Sequence, residues 1–302
     1  PLLYAVCAAA ELEPDQARLL IERGGAWVGR IRVQDPTRVV LAGEALTLHF
    51  PALDERLATI SAADILYEDA ALLVLNKPPG FYVTMTPWSV TGDVLWAARR
   101  FLAARDGDAP PLHLAHQLDR DTSGVLVLSK DPRANAPLQR AFLEGTLHKR
   151  YLALTTGVPL WTTWQARTGH GRGAHGLFRV YPLEAVGSPI GDGRLRVKVM
   201  ETHFELQETY ENAALVEARP LTGRTHQIRL HLQAAGYPVA GDARYGGAPE
   251  LAGFALAHHL LHAAELDLPH PIEERRLRLV APLPLLFTEV QSALQKTNPL
   301  AP

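Results

Sequence analysis

The chain has 302 residues, 47% of them hydrophobic and 21% charged, and a formal net charge of −2. That is enough apolar material for more than one folded core, and too little positive charge for gripping nucleic acid by bulk charge alone. Cys7 is the single cysteine, which excludes disulfides within the chain and cysteine-rich zinc sites and fits a reducing compartment. No apolar run reaches membrane-spanning length, and the N-terminus lacks a charged-then-apolar signal peptide, so a soluble, cytoplasmic protein with no membrane partner is expected. Basic residues gather between Arg99 and Lys198, and acids at Glu11 to Asp15, Asp54-Glu55 and Glu205 to Glu211. Such a basic stretch suits either an RNA-facing surface or ordinary solvated charge.

Residues 1–53 read as a small α+β unit. A helix is predicted through Ala17 to Arg23, stopped by Gly24-Gly25, with short strands around Ala26-Trp27-Val28 and Ala45 to Leu48. Residues 54–63 read as a linker, and a larger α+β domain is expected over 64–295. In it, Ala71 to Leu75 has the pattern of a buried strand, closed by Asn76-Lys77-Pro78-Pro79-Gly80. A helix follows over Asp93 to Ala104, then a break at Pro110-Pro111. Val125 to Leu128 is an unbroken aliphatic run, the pattern of a strand buried on both faces. Lys149 to Leu154 and Ala214 to Ala218 are further strands, and 157–193, rich in glycine, arginine and tryptophan, reads as a loop or hairpin insertion. From Arg224 to Gly236 an amphipathic helix is expected, with Ile228, Leu232 and Ala235 on one face, Thr222 or Thr225 as its cap and Gly236 at its end. Residues 296–302 form a plain tail.

The segment with the most chemical content is His116-Gln117-Leu118-Asp119-Arg120-Asp121-Thr122-Ser123-Gly124, placed immediately before the Val125 strand. A turn clamped at the lip of a rigid strand holds a side chain where a substrate can reach it, which makes Asp119 a candidate catalytic group. The same residues also make a good structural turn, with Thr122 and Ser123 satisfying backbone donors and Gly124 bending the chain into the strand. From this segment alone both readings stand. His113 with His116, and His258-His259 with His262, have spacings a metal could use, although no acidic or cysteine ligand accompanies them in a known pattern.

The stretch His116 to Lys130 is similar to the motif HRLDxxTSGxxxxxK of the RluA-type pseudouridine synthases, enzymes that isomerise uridine in ribosomal and transfer RNA. The resemblance continues in order through Ile65 to Gly80, Lys149 to Leu154, Arg219 to Leu232, Gly236 to Asp242 and Leu261-His262-Ala263. It implies an α+β catalytic domain on a mixed, largely antiparallel sheet. It also implies an isomerase that needs no cofactor or metal, with RNA, ribosomal before transfer, as its partner and no obligate protein partner evident. Residues 1–53 resemble the later part of an S4-type RNA-binding module, with Gly29-Arg30 where Asn-Gly is usual; a small cap without a ligand fits them equally.

Matched to the family pattern, Asp119 takes the catalytic position, acting on the ribose as nucleophile or as base. Arg229 takes that of a basic partner keeping the carboxylate ionised, and Tyr151 that of an aromatic lying against the uracil. Substrate contacts are further implied at Gln117, Arg120 and Thr122, with Ile228 and Leu230 as apolar walls. Seen without the family, Arg229 suits the exposed face of a helix and Tyr151 a strand core. Gln117 stands where most members carry arginine, which keeps hydrogen bonding but loses charge and the planar fork. An RNA-binding protein of this fold without catalysis, and a histidine-dependent metal RNA hydrolase, are the competing classes.

Overall fold

Residues 1–51, 56–173 and 177–297 are described by the computed structural model, and their contacts separate them into two units. One comprises Pro1–Ser61 with Phe81–Pro110, the other Ala62–Gly80 with the chain from Pro111 onward. The expected domain over 64–295 is therefore interrupted by a stretch that packs with the N-terminal unit. The reason is a set of bonds: Val90 N donates to the Arg23 carbonyl at 2.8 Å, Trp27 Nε1 to Pro87 O at 2.9 Å and Ala58 N to Gly92 O at 2.9 Å.

In this first unit lie helices α1 (Leu2–Ala10), α2 (Pro14–Glu22) and α3 (Val94–Asp106) and strands β1 (Ala26–Val28), β2 (Ile31–Val33) and β3 (Leu46–Leu48), in the antiparallel order β2-β1-β3. Pro14 opens α2, a capping box links Glu13 and Gln16, and Gly24, in the left-handed region, turns the chain out of it. Leu20, Ile21, Ala26 and Val28 share its core with Leu2 and Val6 of α1, a helix beyond the expected elements. In the region expected as a linker, Ala58 is buried, while Asp54 and Glu55 lie outside the described residues, as does 298–302 of the expected tail.

The second unit is built on strands β4 (Ile65–Glu68), β5 (Leu72–Lys77), β6 (His113–Leu114), β7 (Ser123–Ser129), β8 (His148–Thr156), β9 (Thr163–Arg172), β10 (Phe178–Tyr181), β11 (Pro189–Ile190), β12 (Leu195–Arg196), β13 (Lys198–Thr209), β14 (Ala213–Pro220), β15 (Glu250–Leu251), β16 (Phe254–Ala255), β17 (Leu261–Pro269) and β18 (Arg276–Val280). Helices α4 (Pro132–Glu144), α5 (Gln227–Ala234) and α6 (Leu285–Thr297) complete it. Its main sheet runs β10-β9-β13-β14-β8-β17-β7-β5-β4, with β6 on β7 and β18 on β17. Within it β7 and β17 are parallel and the other pairs antiparallel, the mixed, largely antiparallel sheet expected.

The stretch 157–193 is not only a loop or hairpin insertion, because β9 pairs with β13 over eight residues and extends the sheet. Its strand pattern is hidden by glycine: a Cβ on Gly169 would come within 2.7 Å of Val197 and one on Gly171 within 2.3 Å of Ile190, so neighbouring side chains fill the space that its own would occupy. Residues 174–176 of this stretch lie outside the described residues.

β7 is buried along its whole length. Gly124 lies inside this strand, at φ +108, where it pairs with Ala263 of β17. A Cβ here would stand 2.2 Å from the Ala263 carbonyl oxygen. Close approach of two parallel strands, more than a bend into the strand, is what requires glycine. Gly124→Ala should therefore cost well over the ~1 kcal/mol expected of Gly145→Ala, which has a similar positive φ but no neighbour within 4 Å. Urea unfolding of the two variants measures this, and equal losses would show that backbone conformation alone, without the β17 contact, sets the requirement.

Candidate active site

The loop from β6 to β7 carries Asp119 and is tied down from several sides. His116 Nε2 accepts the Val127 N–H of β7 at 3.2 Å, and its ring stacks on Phe142 of α4 with centroids 4.7 Å apart. Lys77, fully buried at the end of β5, donates to the carbonyls of Pro78 and Arg120, both at 2.8 Å. Burial pushes its ammonium down to about 7, against the pull of the Asp121 and Asp119 carboxylates. From the other side, Thr122 Oγ1 shares a hydrogen bond with His259 Nε2 and Ser123 Oγ with His262 Nδ1, each at 2.9 Å. At the far end of the motif Lys130 pairs with Glu68 of β4 at 2.6 Å. The turn is thus held through β5, β7 and the chain entering β17.

Asp119 Oδ2 accepts Nη1 of Arg229 at 2.9 Å. Arg229 spends its other nitrogens on a second carboxylate: Nε reaches Asp242 Oδ2 at 2.6 Å and Nη2 reaches Asp242 Oδ1 at 2.8 Å. Its guanidinium carbon lies 4.9 Å from the centroid of the Tyr245 ring. Burial alone would weaken this cation, but the two carboxylates outweigh it and hold Arg229 above its ordinary pKa. Asp242 is 2% exposed and sits in a tight loop, accepting the N–H of Arg244 at 3.2 Å and of Tyr245 at 3.3 Å. Gly241 permits that loop, since a Cβ there would stand 2.2 Å from the His258 carbonyl.

The exposed helical face that Arg229 suits when read without the family is absent. All six residues from Gln227 to Leu232 of α5 are buried, and the polar ones among them are paired. Gln227 Oε1 accepts Thr222 Oγ1 at 2.6 Å and Arg224 N at 3.0 Å, while its Nε2 donates to Glu201 O at 2.8 Å and Thr202 Oγ1 at 2.9 Å. His231 shares bonds with Thr202 at 3.0 Å and Thr168 at 3.1 Å. Neither Thr222 nor Thr225 caps the helix with its side chain. The N-cap is His226 at φ 58, and Gln227 draws the Thr222 hydroxyl into the network behind it.

A cavity of about 510 Å³ opens over this pair. Of the residues expected at the site, Gln117, Asp119, Thr122, Tyr151, Ile228 and Arg229 line it. Two do not. Leu230 is two positions beyond Ile228 and so faces away, packing with Met200 and Tyr245. Arg120 points outward, with its side chain 47% exposed and 3.5 Å from Asp121. The Tyr151 phenol is pushed up by burial and by the negative charge of Asp119, and stays protonated.

His226, Asp242 and Lys77 were not singled out by sequence reasoning. His226 also lines the cavity, its Nε2 3.9 Å from Asp119 Oδ1 and its Nδ1 bonded to Tyr245 OH at 2.7 Å. Burial brings it down to about 4, opposed by Asp119 but aided by Arg229 and Arg244, so it is neutral at physiological pH. The signals were present as the sequences His226-Gln227-Ile228-Arg229 and Gly241-Asp242, but nothing in their spacing pairs Arg229 with two carboxylates. Three of the histidines weighed as metal ligands are otherwise occupied: His259 and His262 by the hydroxyls above, His116 by Val127. Among the described residues, no three His, Cys, Asp or Glu side chains converge as a metal site.

Residues 71–234 match the RNA pseudouridylate synthase family. The chain is 36% identical over 277 residues to RNA pseudouridine synthase 1 of Oryza sativa, covering 79% of this chain and 78% of that protein. It is 33% identical to the ribosomal large subunit pseudouridine synthase C of Pasteurella multocida, covering 98% of this chain and 86% of that one. Among solved structures, human RNA pseudouridylate synthase domain containing 4 superimposes with a TM-score of 0.62 at 26% identity, covering 77% of this chain and 93% of that chain.

Removing the second carboxylate tests how Arg229 is held. Asp242→Ala should destabilise the fold by about 3–5 kcal/mol, the cost of stranding one member of a buried ion pair, and lower turnover by about 100-fold through misplacement of Arg229 and Asp119. An unchanged urea midpoint would show that Arg229 needs only Asp119. Acid should also weaken the protein. His116, His226 and His231 are each lowered to about 4 from 6.5, so the unfolded chain takes up protons that the folded one refuses. Their contribution is complete above 6.5 and is lost as pH falls toward 4. Urea midpoints at about pH 7 and about pH 5 should differ in that direction, and equal midpoints would contradict it.

Proposed function

The chain belongs to the RNA pseudouridylate synthase family, and we propose that it isomerises uridine to pseudouridine in ribosomal RNA, with Asp119 as the catalytic group. The protein is an isomerase. Its reaction breaks the bond from uracil N1 to ribose C1′, turns the base, and rejoins it through C5. One observation carries the assignment of Asp119: a carboxylate at the mouth of a strand, aimed into a cavity and paired at 2.9 Å with an arginine that is itself fixed by a second carboxylate.

Asp119 can serve in either of two ways. It attacks C1′ to form an ester, or it takes the C2′ proton so that uracil leaves by elimination. The Arg229 bond holds one oxygen, Oδ2, while Oδ1 lies 3.9 Å from Nε2 of His226 in the cavity wall. Neutral His226 and protonated Tyr151 add no competing charge beside it. A uridine in folded RNA must first be turned out of its stack, at a cost of roughly a few kcal/mol. Gln117, exposed at the cavity wall, stands where the family pattern has arginine, so the contact that helps to hold the flipped conformation is uncharged here.

The second unit, which contains the cavity, is assigned the chemistry. For the first, the succession of α2, Gly24-Gly25, β1 and β3 supports an S4-like RNA-binding role. The names of relatives that act on the large ribosomal subunit favour ribosomal over transfer RNA. The single cysteine accords with a cytoplasmic enzyme.

Ribosomal and transfer RNA from a strain lacking the gene, incubated with purified protein and mapped chemically for pseudouridine, should show conversion at defined uridines of ribosomal RNA. Absence of conversion in either RNA would remove the synthase assignment, and conversion confined to transfer RNA would move the target. Asp119→Asn should abolish conversion while RNA affinity persists, because the amide keeps the shape but neither attacks nor accepts a proton.

A further inference from the structure

Isomerisation of uridine moves a negative charge, and the cavity contains a cation that the Asp119–Arg229 pair does not use. When the N1–C1′ bond breaks, its electron pair stays with uracil, which becomes an anion delocalised over N1 and the two carbonyl oxygens. In the same event Asp119 loses its own charge, whether by forming the ester to C1′ or by accepting the C2′ proton. Under either course one unit of negative charge passes from Asp119 to the base, inside a pocket of low dielectric where it needs a preorganised positive partner. Arg229 cannot follow it, being fixed by Asp242 through Nε and Nη2.

Lys149 lies on β8 two residues before Tyr151, so both side chains leave the same face of the strand, roughly 7 Å apart. Both line the cavity with Asp119. Arg150 between them turns to the opposite face and pairs with Glu217 at 2.5 Å. The Lys149 ammonium donates to the Thr222 carbonyl at 3.2 Å and forms no ion pair with a carboxylate among the described residues. An ammonium has three protons, so two remain for a ligand. Arg224, another cation of the cavity wall, commits its Nε to the Val199 carbonyl on β13, two strands away.

We propose that Lys149 is a catalytic residue that holds the departing uracil anion through a carbonyl oxygen until the new bond to C5 has formed. The inference rests on the uridine isomerisation above. Turning uracil about the axis through N3 and C6 exchanges N1 with C5 and, at the same time, O2 with O4. A single ammonium beside the ring therefore meets an equivalent oxygen before and after the turn. C5 then bonds to C1′. On the ester course the ester bond breaks and its pair returns to Asp119; on the elimination course Asp119 returns its proton to C2′. The C5 proton moves to N1, and the charge ends where it began.

The groups facing Lys149 leave it charged at neutral pH and close to deprotonation above it. His116 is kept neutral, in part by Lys149 itself. Tyr151 is protonated, Asp119 is occupied by Arg229 and Arg224 is a like charge, while Glu265 of the adjoining strand β17 lies opposite Arg150, on the other face, and is bonded twice to Arg278. Burial lowers Lys149 to about 8.

Single-turnover conversion of the RNA from the deletion strain tests the assignment, with RNA dissociation constants and urea midpoints measured alongside. Lys149→Met should slow conversion by about 100-fold with little change in RNA affinity or urea midpoint. Lys149→Arg should recover most of that rate, and the fall in wild-type rate as pH rises through about 8 should be absent in it. A Met variant as fast as wild type would overturn the proposal. So would a loss lying wholly in the dissociation constant, which would make Lys149 a contact to RNA phosphate, or an alkaline fall unchanged in the Arg variant. In each case wild-type protein still converts uridine, whereas failure of the synthase assignment leaves wild type itself without product.

Discussion

One guanidinium shared by two carboxylates organises the second unit. Asp119 comes from a strand-entry loop, and Arg229 and Asp242 from a helix and a glycine-turned loop more than a hundred residues further along; the three meet within hydrogen-bond distance. A charged trio with so little access to water is not in itself a source of stability, because desolvation offsets much of the attraction. Its value lies in placement. The bidentate grip of Asp242 fixes the plane of the guanidinium, and that plane fixes which Asp119 oxygen is engaged and which is free. Gly241 and the buried face of α5 follow from it: the loop must pass close to His258, and the helix must bury all of its first six residues to bring Arg229 inward.

The sheet supplies the second constraint. Alternation along β8 sends Lys149 and Tyr151 to the cavity and Arg150 to the other face, where Arg150–Glu217, Arg219–Glu205 and Arg278–Glu265 link charges on β8, β14, β13, β17 and β18. One face of the same strands thus keeps its cations paired, while on the cavity face Lys149 has no carboxylate partner among the described residues. The close seam between β7 and β17 brings His259 and His262 under Thr122 and Ser123, so the two strands that need glycine to approach also hold the Asp119 loop.

The elements with strong periodicity and clear punctuation were legible in the sequence: α2 between Pro14 and Gly24, α3 behind its Asp93 cap, the β5 and β7 cores, and the mixed sheet implied by the family motifs. Asp119, Tyr151 and Arg229 were legible for a different reason, their place in those motifs. Side-chain direction was not. Leu230 belongs to the same motif as Ile228 but faces Met200, and Arg120 follows Asp119 but points outward. β9 was hidden because Gly169 and Gly171 give up their side-chain space to Val197 and Ile190. Asp242 was hidden because a bidentate partner 13 residues along the chain leaves no periodic trace. The division of the chain was missed where Phe81–Pro110 joins the N-terminal unit through backbone carbonyls, which any sequence offers.

The protonation states around the cavity give the arrangement its chemical sense. Burial removes charge from His226 and His116 and keeps the Tyr151 proton in place, so these three groups are uncharged at physiological pH. Lys77 is lowered toward neutrality while bonded to two carbonyls, and holds the loop without requiring an anion. What remains is a carboxylate whose charge is free to leave and an ammonium near the Tyr151 side of the cavity with no carboxylate partner among the described residues. In water such a transfer would be carried by solvent reorganisation; in a cavity of this kind fixed groups must do it, and their spacing sets where the base can go. In the proposed assignment, the cavity that Asp119 and Lys149 both line holds the start and the end of that transfer.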